Sequence, residues 1–439
     1  MNSDTYDVVV IGAGFAGLTA ARDLAKDGKR VLIVEARDRI GGRTWYRPFA
    51  DTGLSIELGG NWVDTEGNAA LMAEVERYGV RLAESPHAQN HVSLLDGVLS
   101  HAPCPITHDD EVALQQMVKE VLTQVRRIDS ALPLDQQDVA DLDVPLDSYL
   151  DGFALSATLR ELAGAWIREN TGCHESQISA LHLMSWIPNL NDDVLALGHT
   201  PTHRFAAGTI DLLQRILDDS GAALRLSTPV EAVTQSAEHV EVHTQSGEVL
   251  RARGAVVALP LNCLTDVTFT PALSPDKAAG AAIGQTGAAK KLWALVTGLP
   301  PKLLGVGGHD EPIDVFFTDF PADETGLGGD LVVGFSTQER PLDILDHDDM
   351  EAAFRRYVPD AGVLKVDGHD WLADPYAKGT WCAAPAGLLS KYASALEATE
   401  GRLVFAGSDI AHAFRGWMEG AVVSGAAAAT RLSAILDEA

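Results

Sequence analysis

Near the start of the chain, a segment of the form Gly-x-Gly-x-x-Gly lies between an apolar run and a helix-forming run. Gly12 permits a tight turn, Gly14 lets backbone amides approach a pyrophosphate, and Gly17 lets a helix pack closely on a strand. Glu35 closes the next apolar run, where its carboxylate can accept hydrogen bonds from both ribose hydroxyls of an adenosine. An isolated glycine triplet also occurs in ordinary loops, so it is the strand–helix–strand context that predicts a dinucleotide site.

A second group of residues suited to a large anionic ligand follows this segment. Gly41 and Gly42 free the backbone to run under such a ligand, and Arg43 can contact a phosphate through two hydrogen bonds. Much further on, strand alternation puts Lys291 on the same face as Trp293. A lysine on an apolar face needs a partner or a water, unless it lies at an edge and extends into solvent.

These residues require two kinds of element to position them. Short β-branched runs at residues 6–11, 30–34 and 253–259 predict buried strands, and the helix-forming run after Gly17 completes a β-α-β unit. Residues 65–200 are helix-rich by pattern and have few strand-like runs, which predicts a helical insertion over a substrate site. Residues 401–409 predict a further buried strand that ends in a glycine and an acid, and a helix of small residues opens after Trp417.

Composition and charge exclude several classes of protein. The chain has 439 residues, of which 46% are hydrophobic and 22% charged, which predicts two or three globular domains. A net charge of −29 argues against nucleic acid as the main partner. No apolar stretch reaches the length of a membrane span and no signal peptide is visible, so we expect a cytoplasmic protein without a membrane partner. The cysteines show neither disulfide nor metal spacing, and we expect no metal.

The stretch Glu35-Ala-Arg37, followed by Gly41-Gly42-Arg43 and by residues 57–63, resembles the FAD-dependent amine oxidase family. The resemblance extends over nearly the whole chain. It implies an α/β fold with a Rossmann-like FAD-binding domain of the glutathione-reductase type, an α+β substrate-binding domain and a helical cap. The implied FAD-binding domain comprises residues 1–70, 204–285 and 390–439, and the implied substrate-binding domain comprises residues 71–203 and 286–389.

The resemblance also implies which residues contact FAD. Glu35 would bind the adenosine ribose, the backbone of Val230 the adenine, Asp409 the ribityl hydroxyls, and the amides around Met418 the reduced flavin ring. The whole implied set is Gly12, Gly14, Gly17, Glu35, Arg37, Gly42, Arg43, Gly60, Asn61, Trp62, Val230, Asp409 and Met418. The position at which some relatives attach FAD covalently falls at Gly379 or Thr380, so we expect non-covalent FAD, with Cys382 as the remaining candidate for attachment.

Three residues would carry the reaction by the same resemblance. Lys291 matches a lysine that holds a water against the flavin N5 atom, and Trp381 and Trp417 match two rings that sandwich the amine. Trp417 stands where the family has a tyrosine. Residue type alone would place both tryptophans in a core, whereas their motif positions favour the cage.

Residues 141–146, 267–274, 370–375 and 407–409 resemble the bacterial branch of the family that oxidises nicotine-type amines. The residues expected to face the substrate are Glu169, where that branch has an asparagine, and the adjacent Asn170. A carboxylate at this place would prefer a cation or a donor-rich ring.

The implied reaction moves a hydride from the carbon beside an amine nitrogen to flavin N5, gives an imine or iminium, and uses dioxygen to form hydrogen peroxide. Two alternatives share the fold: a dehydrogenase that passes electrons to a protein, and a carbon–carbon desaturase that would not need the tryptophan pair. A flavin-binding protein without activity would not need Lys291. The resemblance leaves a homodimer open.

Overall fold

The computed structural model describes residues 6–198, 202–337 and 340–438. The strands in these residues are β1 (Tyr6–Ile11), β2 (Val31–Val34), β3 (Tyr46–Pro48), β4 (Ser55–Glu57), β5 (Trp62–Val63), β6 (Leu82–Glu84), β7 (Asn90–Leu95), β8 (Val98–Ser100), β9 (His203–Phe205), β10 (Ala223–Arg225), β11 (Val230–Gln235), β12 (Val240–Thr244), β13 (Val249–Val257), β14 (Thr268–Thr270), β15 (Ala289–Thr297), β16 (Leu303–Gly307), β17 (Val315–Phe320), β18 (Asp330–Thr337), β19 (Gly362–His369) and β20 (Leu403–Phe405).

The α-helices are α1 (Phe15–Lys26), α2 (Ala69–Tyr78), α3 (His108–Val125), α4 (Leu146–Leu150), α5 (Ala157–Thr171), α6 (Ala180–Trp186), α7 (Thr209–Ser220), α8 (Pro275–Ile283), α9 (Ala322–Thr325), α10 (His347–Arg355), α11 (Leu389–Glu397) and α12 (Met418–Asp437). Short 3-10 helices lie at Leu134–Gln136, Ala140–Leu142, Glu175–Gln177, Ile187–Leu190, Ala196–Gly198, Leu261–Asp266 and Ser408–Ile410. None of the described helices is long and apolar enough to cross a lipid bilayer.

The first sheet is built around β1, which is parallel to β2 on one side and to β13 on the other. Strand β10 extends the sheet beyond β2, and β20 pairs with the end of β13. The beginning of β13 instead turns into an antiparallel ladder with β12 and then β11. The buried parts of the parallel strands are apolar, as the β-branched runs predicted, because apolar side chains pack on both faces of the sheet.

Close packing of α1 against α12 covers one face of this sheet. The backbones approach so closely at Gly425 that a Cβ atom there would lie 2.3 Å from the carbonyl oxygen of Ala16. Small side chains such as those of Ala20, Ala21 and Ala428 fill this interface. The helix of small residues predicted at the C-terminus therefore returns to the glycine-rich turn at the start of the chain.

The second sheet has the order β19-β15-β18-β17-β16-β7-β8. One face packs on α10 through residues such as Leu292, Phe316 and Val332. The opposite face carries Trp293 and Val333 and turns toward the first domain. Helix α5 also packs on this sheet, where Ala165 contacts a cluster of Leu95 on β7, Val306 on β16 and Val315 on β17.

Strands β7 and β8 lie inside the region that its pattern predicts as helix-rich. They form a hairpin that adds the last two strands to the second sheet. Asp96 and Gly97 both have positive φ at its turn. The dipeptide Asp-Gly between two apolar runs is the signal for such a hairpin, and this local pattern outweighs the helical composition of the surroundings.

Candidate active site

A cavity of about 450 Å³ opens at the carboxyl ends of the parallel strands of the first sheet. Most residues that the sequence assigns to cofactor binding line it. These are Gly12, Gly14, Gly17, Glu35, Arg37, Gly42, Arg43, Gly60, Val230 and Met418. Trp381 and Trp417 line the same cavity. Six of the predicted site residues do not line this cavity, namely Asn61, Trp62, Asp409, Lys291, Glu169 and Asn170.

The glycine-rich turn has the geometry that its spacing predicts. Gly12 has φ +106°, and a Cβ atom there would lie 2.5 Å from the carbonyl oxygen of Ala258. A Cβ atom on Gly17 would lie 2.0 Å from the carbonyl oxygen of Gly12, so only glycine allows α1 to start this close to β1. The amides at the start of α1 open onto the cavity, because Gly14 caps the helix without a side chain.

Glu35 is buried at the end of β2, and its carboxylate is fixed by two backbone amides. The amide of Ala13 donates to Oε2 at 2.8 Å, and the amide of Arg37 donates to Oε1 at 2.9 Å. The first bond attaches the acid directly to the glycine-rich turn. Glu35 therefore holds the turn in shape and presents a negative charge to the cavity.

Arg43 connects three separate segments at the wall of the cavity. Its guanidinium donates to the carbonyl of Thr380 at 2.7 Å and to Oδ1 of Asp409 at 2.6 Å. The other oxygen of Asp409 accepts from the amide of Leu261 at 2.9 Å. Burial disfavours the charge on Arg43, but the Asp409 carboxylate outweighs it and raises the pKa of the guanidinium. The structure thus gives Asp409 a positioning contact with Arg43, away from the cavity surface.

A strap formed by residues 370–380 covers the part of the cavity nearest to Glu35. Trp371, Pro375, Tyr376 and Lys378 from this strap line the cavity, although the sequence did not single them out as binding residues. Their signal was present in the Asp-Trp-Leu-Ala-Asp-Pro stretch, which the sequence marked only as typical of a branch. Aromatic and basic residues suit an adenosine and its phosphates.

Two ion pairs attach the strap to the first domain. Arg37 donates to Oδ1 of Asp374 at 2.7 Å, and Lys378 donates to Oδ1 of Asp266 at 2.5 Å. The remaining oxygen of Asp374 lies 3.0 Å from Nε2 of His369. Although burial acts in the opposite direction, these hydrogen bonds hold the pKa of Asp374 well below its usual range. The Asp374 carboxylate therefore stays charged and keeps the strap closed.

Lys291 is buried on β15, as its alternation with Trp293 predicted. Its Nζ atom donates to the carbonyl of Gly59 at 2.8 Å and lies 4.3 Å from the ring centroid of Trp62. Burial lowers the pKa of Lys291 to about 8, while the negative charges of Glu57 and Asp319 act to raise it. Gly59 and Gly60 belong to the wall of the cavity, so the ammonium lies directly behind that wall.

Trp62 and Asn61 lie next to this lysine. The Trp62 ring packs against Phe317 and Phe335, with ring centroids 5.7 Å and 5.8 Å away. Trp62 therefore supports Lys291 in the structure and does not line the cavity. Asn61 is buried, and its Oδ1 atom has no hydrogen-bond partner among the described residues.

The two tryptophans are half-buried and reach the cavity from different segments. The indole Nε1 of Trp381 donates to the carbonyl of Asn170 at 2.7 Å, and its ring stands edge-on to Phe335 at 6.0 Å. The Trp417 ring stands edge-on to Trp186 at 5.8 Å, directly before the start of α12. Each ring is thus fixed by a neighbour at its edge and keeps part of its surface open.

The helix start beside Trp417 supplies a favourable electrostatic field. Met418 is the first residue of α12, a helix of 20 residues, and it lines the cavity. No side chain caps this helix start among the described residues. Because the amides of the first turn carry partial positive charge, they would stabilise negative charge on a ligand in the cavity.

The positions of the Cys382 and Cys263 thiols bear on whether FAD can be attached covalently. Cys382 is fully buried, its Sγ atom lies 3.9 Å from the carbonyl of Asp409, and burial raises its pKa far above the ordinary value. Of Gly379 and Thr380, the two positions that match the attachment site of some relatives, Thr380 lines the cavity and Gly379 does not. Cys263 lines the cavity, and burial raises its pKa to about 12.

The glycine cradle, the fixed acid of Glu35, the basic groups and the helix start are what FAD requires at its adenosine, phosphate and flavin parts. Together with the parallel β-α-β unit that carries the glycine-rich turn, they define a flavin-dependent oxidoreductase. No group of His, Cys, Asp or Glu side chains that could hold a metal occurs in the described part of the chain.

Comparison with known proteins identifies the family. Residues 15–433 match the family of flavin containing amine oxidoreductases. The chain is 32% identical over 418 residues to an (S)-6-hydroxynicotine oxidase from Paenarthrobacter nicotinovorans, covering 95% of this chain and 97% of that protein. It is 31% identical over 431 residues to a pseudooxynicotine dehydrogenase from a Pseudomonas species, and the match covers 96% of this chain and 84% of that protein.

The fold is similar to that of solved amine oxidases. The structure of cyclohexylamine oxidase from Brevibacterium oxydans IH-35A matches with a TM-score of 0.84 at 23% identity, covering 99% of this chain and 100% of that one. The chain therefore belongs to the flavin-containing amine oxidase family, and it is an enzyme with FAD as its cofactor. The predicted fold class is confirmed.

Proposed function

We propose that the enzyme oxidises a cyclic or aryl-alkyl amine of the nicotine type, and that Trp381 and Trp417 bind the amine nitrogen between them. One observation carries this proposal: both indoles line the same cavity as the glycine-rich turn. Ring faces attract a partly positive nitrogen and fix the carbon beside it. The nicotine class is supported by the identity of 32% over nearly the whole chain with a (S)-6-hydroxynicotine oxidase.

Bound FAD supplies the hydride acceptor for the carbon–hydrogen bond beside the amine nitrogen, which leaves an imine or iminium product. The residues of the chain orient the amine and stabilise charge. Trp381 and Trp417 orient the amine, and the start of α12 at Met418 stabilises negative charge. No general base is assigned, because the amine needs only to bind in its neutral form.

Lys291 has a separate role in this proposal. An ammonium has three N–H donors, and Gly59 accepts one of them, so others remain to hold a water at the cavity wall. Because this positive charge lies behind Gly59 and Gly60, it also favours anionic species that form on the cavity side of the wall. The Trp62 ring contacts the Lys291 ammonium and keeps this side chain in place.

We propose that FAD is bound without a covalent bond. The position of Cys382 supports this, because its thiol is buried against Asp409 and does not belong to the cavity wall. After denaturation and ultrafiltration, all of the flavin is expected in the filtrate. Flavin that remains with the unfolded chain would contradict the proposal.

Dioxygen is proposed as the electron acceptor, with hydrogen peroxide as the product. The second candidate function is that of a dehydrogenase that passes electrons to a protein carrier. It is favoured by the relative that is named a dehydrogenase. Turnover of a panel of amines, followed in parallel by a peroxide-coupled assay and by reduction of a dye, separates the two. Peroxide formed in proportion to amine consumed supports the oxidase, and dye reduction without peroxide supports the dehydrogenase.

We also propose the domain boundaries that the sequence implied. The strands of the first sheet lie within residues 6–34, 223–270 and 403–405, and those of the second sheet lie within residues 90–100 and 289–369. This distribution supports an FAD-binding domain of residues 1–70, 204–285 and 390–439. Limited proteolysis with and without FAD should protect the first set selectively, and fractionation of the source cells would test the proposed cytoplasmic location.

A further inference from the structure

The two segments that carry Trp381 and Trp417 touch each other one residue away from each ring. Gly416 has φ +86°, and a Cβ atom there would lie 3.0 Å from both the amide nitrogen and the carbonyl oxygen of Cys382. The amide of Gly416 also donates to the carbonyl of Ser408 at 3.0 Å. This contact sets the spacing of the two backbones, and the direction in which each ring points depends on further neighbours.

Trp186, the last residue of α6, holds the Trp417 segment at two points. Its indole Nε1 donates to the backbone carbonyl of Arg415 at 2.9 Å. Its ring stands edge-on to the Trp417 ring, with ring centroids 5.8 Å apart. Trp186 is fully buried, and a buried indole N–H needs an acceptor, which Arg415 supplies. One side chain thus contacts both the backbone and the ring of residues 415–417.

A second ring at Trp417 belongs to the same loop. Phe414 stands edge-on to Trp417 with ring centroids 5.7 Å apart. Because Phe414 lies only three residues before Trp417, it cannot fix the position of this loop in the fold. Trp186 comes from a different part of the chain, 229 residues before Arg415. It therefore ties the loop that carries Trp417 to α6.

Helix α6 supports Trp186 from behind. His182 lies one turn earlier, is fully buried, and stands edge-on to the Trp186 ring at 4.8 Å. Burial and the nearby charge of Arg415 lower the pKa of His182 to about 3, so its ring is neutral at ordinary pH. Leu190 and Phe414 pack with Trp186 in one buried cluster. These neighbours surround the Trp186 ring, which can therefore serve as a fixed support.

We propose that Trp186 is a positioning residue for the amine oxidation, because it sets the orientation in which the Trp417 ring meets the amine. This inference rests on the proposed function, in which Trp417 binds the amine nitrogen. A ring attracts a partly positive nitrogen through its face, and a displacement of about 1 Å at a reacting group can lower a rate strongly. Trp186 itself does not line the cavity, and it acts through Trp417.

The test is a double-mutant cycle that is measured by anaerobic reduction of the bound flavin. Trp186→Leu, Trp417→Ala and the double variant are compared with the wild type. The probe is whichever of nicotine, 6-hydroxynicotine and pentylamine reduces the wild-type flavin at the lowest concentration. Phe354→Leu removes a fully buried ring from α10 and is the control for lost packing. A flavin spectrum and a FAD content equal to those of the wild type show that each variant is folded.

Trp186→Leu should raise the amine concentration needed for half-maximal flavin reduction about fivefold, because the edge contact and the hydrogen bond are both lost. In the Trp417→Ala background the same substitution should change this concentration less than about twofold, since the ring that it positions is absent. Trp186→Phe keeps a ring and loses the N–H donor, so it should fall between Trp186→Leu and the wild type. Phe354→Leu should remain close to the wild type.

A purely structural role of Trp186 would not depend on the Trp417 ring. Equal losses in the two backgrounds, or no loss in either, would therefore overturn this inference and leave the proposed function intact. If Trp186→Leu does not retain FAD, Trp186→Phe replaces it in the cycle, with an expected loss of about threefold and the same dependence on Trp417. If no amine of a wider panel reduces the wild-type flavin, the proposed function itself is contradicted and the inference falls with it.

Discussion

The Nζ atom of Lys291 donates to the backbone carbonyl of Gly59 at 2.8 Å. This bond joins the second sheet, which carries the lysine on β15, to the loop that forms the cavity wall. A buried ammonium is costly, and here Gly59, the Trp62 ring and the charges of Glu57 and Asp319 stabilise it. These contacts hold the ammonium directly behind Gly59 and Gly60, which belong to the cavity wall.

Replacement of Lys291 by methionine should leave FAD bound but slow the oxidation of the reduced enzyme by dioxygen roughly 100-fold. Methionine keeps the apolar length of the side chain and removes its donors. Stopped-flow mixing of the amine-reduced enzyme with oxygen measures this rate. Lys290→Met is the matched control, because Lys290 binds the carbonyls of Arg340 and Leu342 at 2.9 Å on the other side of the strand. Equal oxidation rates in the wild type and Lys291→Met would remove Lys291 from the mechanism.

The pH dependence of the same rate follows from the lowered pKa of Lys291, which is about 8 instead of 10.5. The ammonium is present below this pKa and is lost above it, so the oxidation rate should fall as pH rises through about 8. The neighbouring Asp319 has its pKa raised to about 6 by burial, which places its own transition lower. Rates between about pH 6 and 10 should show the fall in the wild type and no such step in Lys291→Met.

The Trp417 ring can be tested against the residue that the family has at this position. Trp417→Ala should raise the amine concentration needed for half-maximal flavin reduction roughly tenfold, because an aromatic face beside the nitrogen is lost. Trp417→Tyr keeps such a face and should remain close to the wild type. Anaerobic titration with one amine measures both variants. Equal losses in the two variants would mean that ring electrostatics is not what Trp417 contributes.

Asp374 should govern how firmly FAD is retained. Asp374→Asn removes the charge that attaches the strap to Arg37 and His369, so dissociation of FAD should become about tenfold faster and more sensitive to salt. Recovery of flavin fluorescence after dilution into buffer of rising ionic strength follows the release. Asp310→Asn changes an exposed carboxylate and is the control for net charge. A release rate equal to that of the control would show that the strap does not hold the cofactor.

Local sequence patterns predicted the geometry of the glycine-rich turn, and most of the residues they assigned to the cofactor line one cavity. The roles of Gly12 and Gly17 depend on backbone geometry within a few residues, so the glycine spacing together with its strand–helix–strand context was sufficient. The alternation in β15 likewise placed Lys291 on the buried face. The tryptophan pair needed the family resemblance, because an isolated Trp381 or Trp417 is more simply read as a core residue.

The sequence patterns did not predict contacts between segments that lie far apart in the chain. Nothing near Arg37 indicates that Asp374 will bind it, or that the carboxylate of Asp409 will turn toward Arg43. Trp62 matched a cofactor-contacting position, but the packing of Phe317 and Phe335 places its ring under Lys291 instead. Such outcomes depend on how the two sheets meet, which no single segment encodes.

The most direct test of the central claim is anaerobic titration of the purified FAD enzyme with amines that include 6-hydroxynicotine, nicotine and an aliphatic amine, followed by admission of air. The account predicts that at least one amine bleaches the flavin stoichiometrically and that air restores the oxidised spectrum with an equivalent amount of hydrogen peroxide. A flavin that stays oxidised with every amine, while the protein is folded and holds FAD, would contradict it.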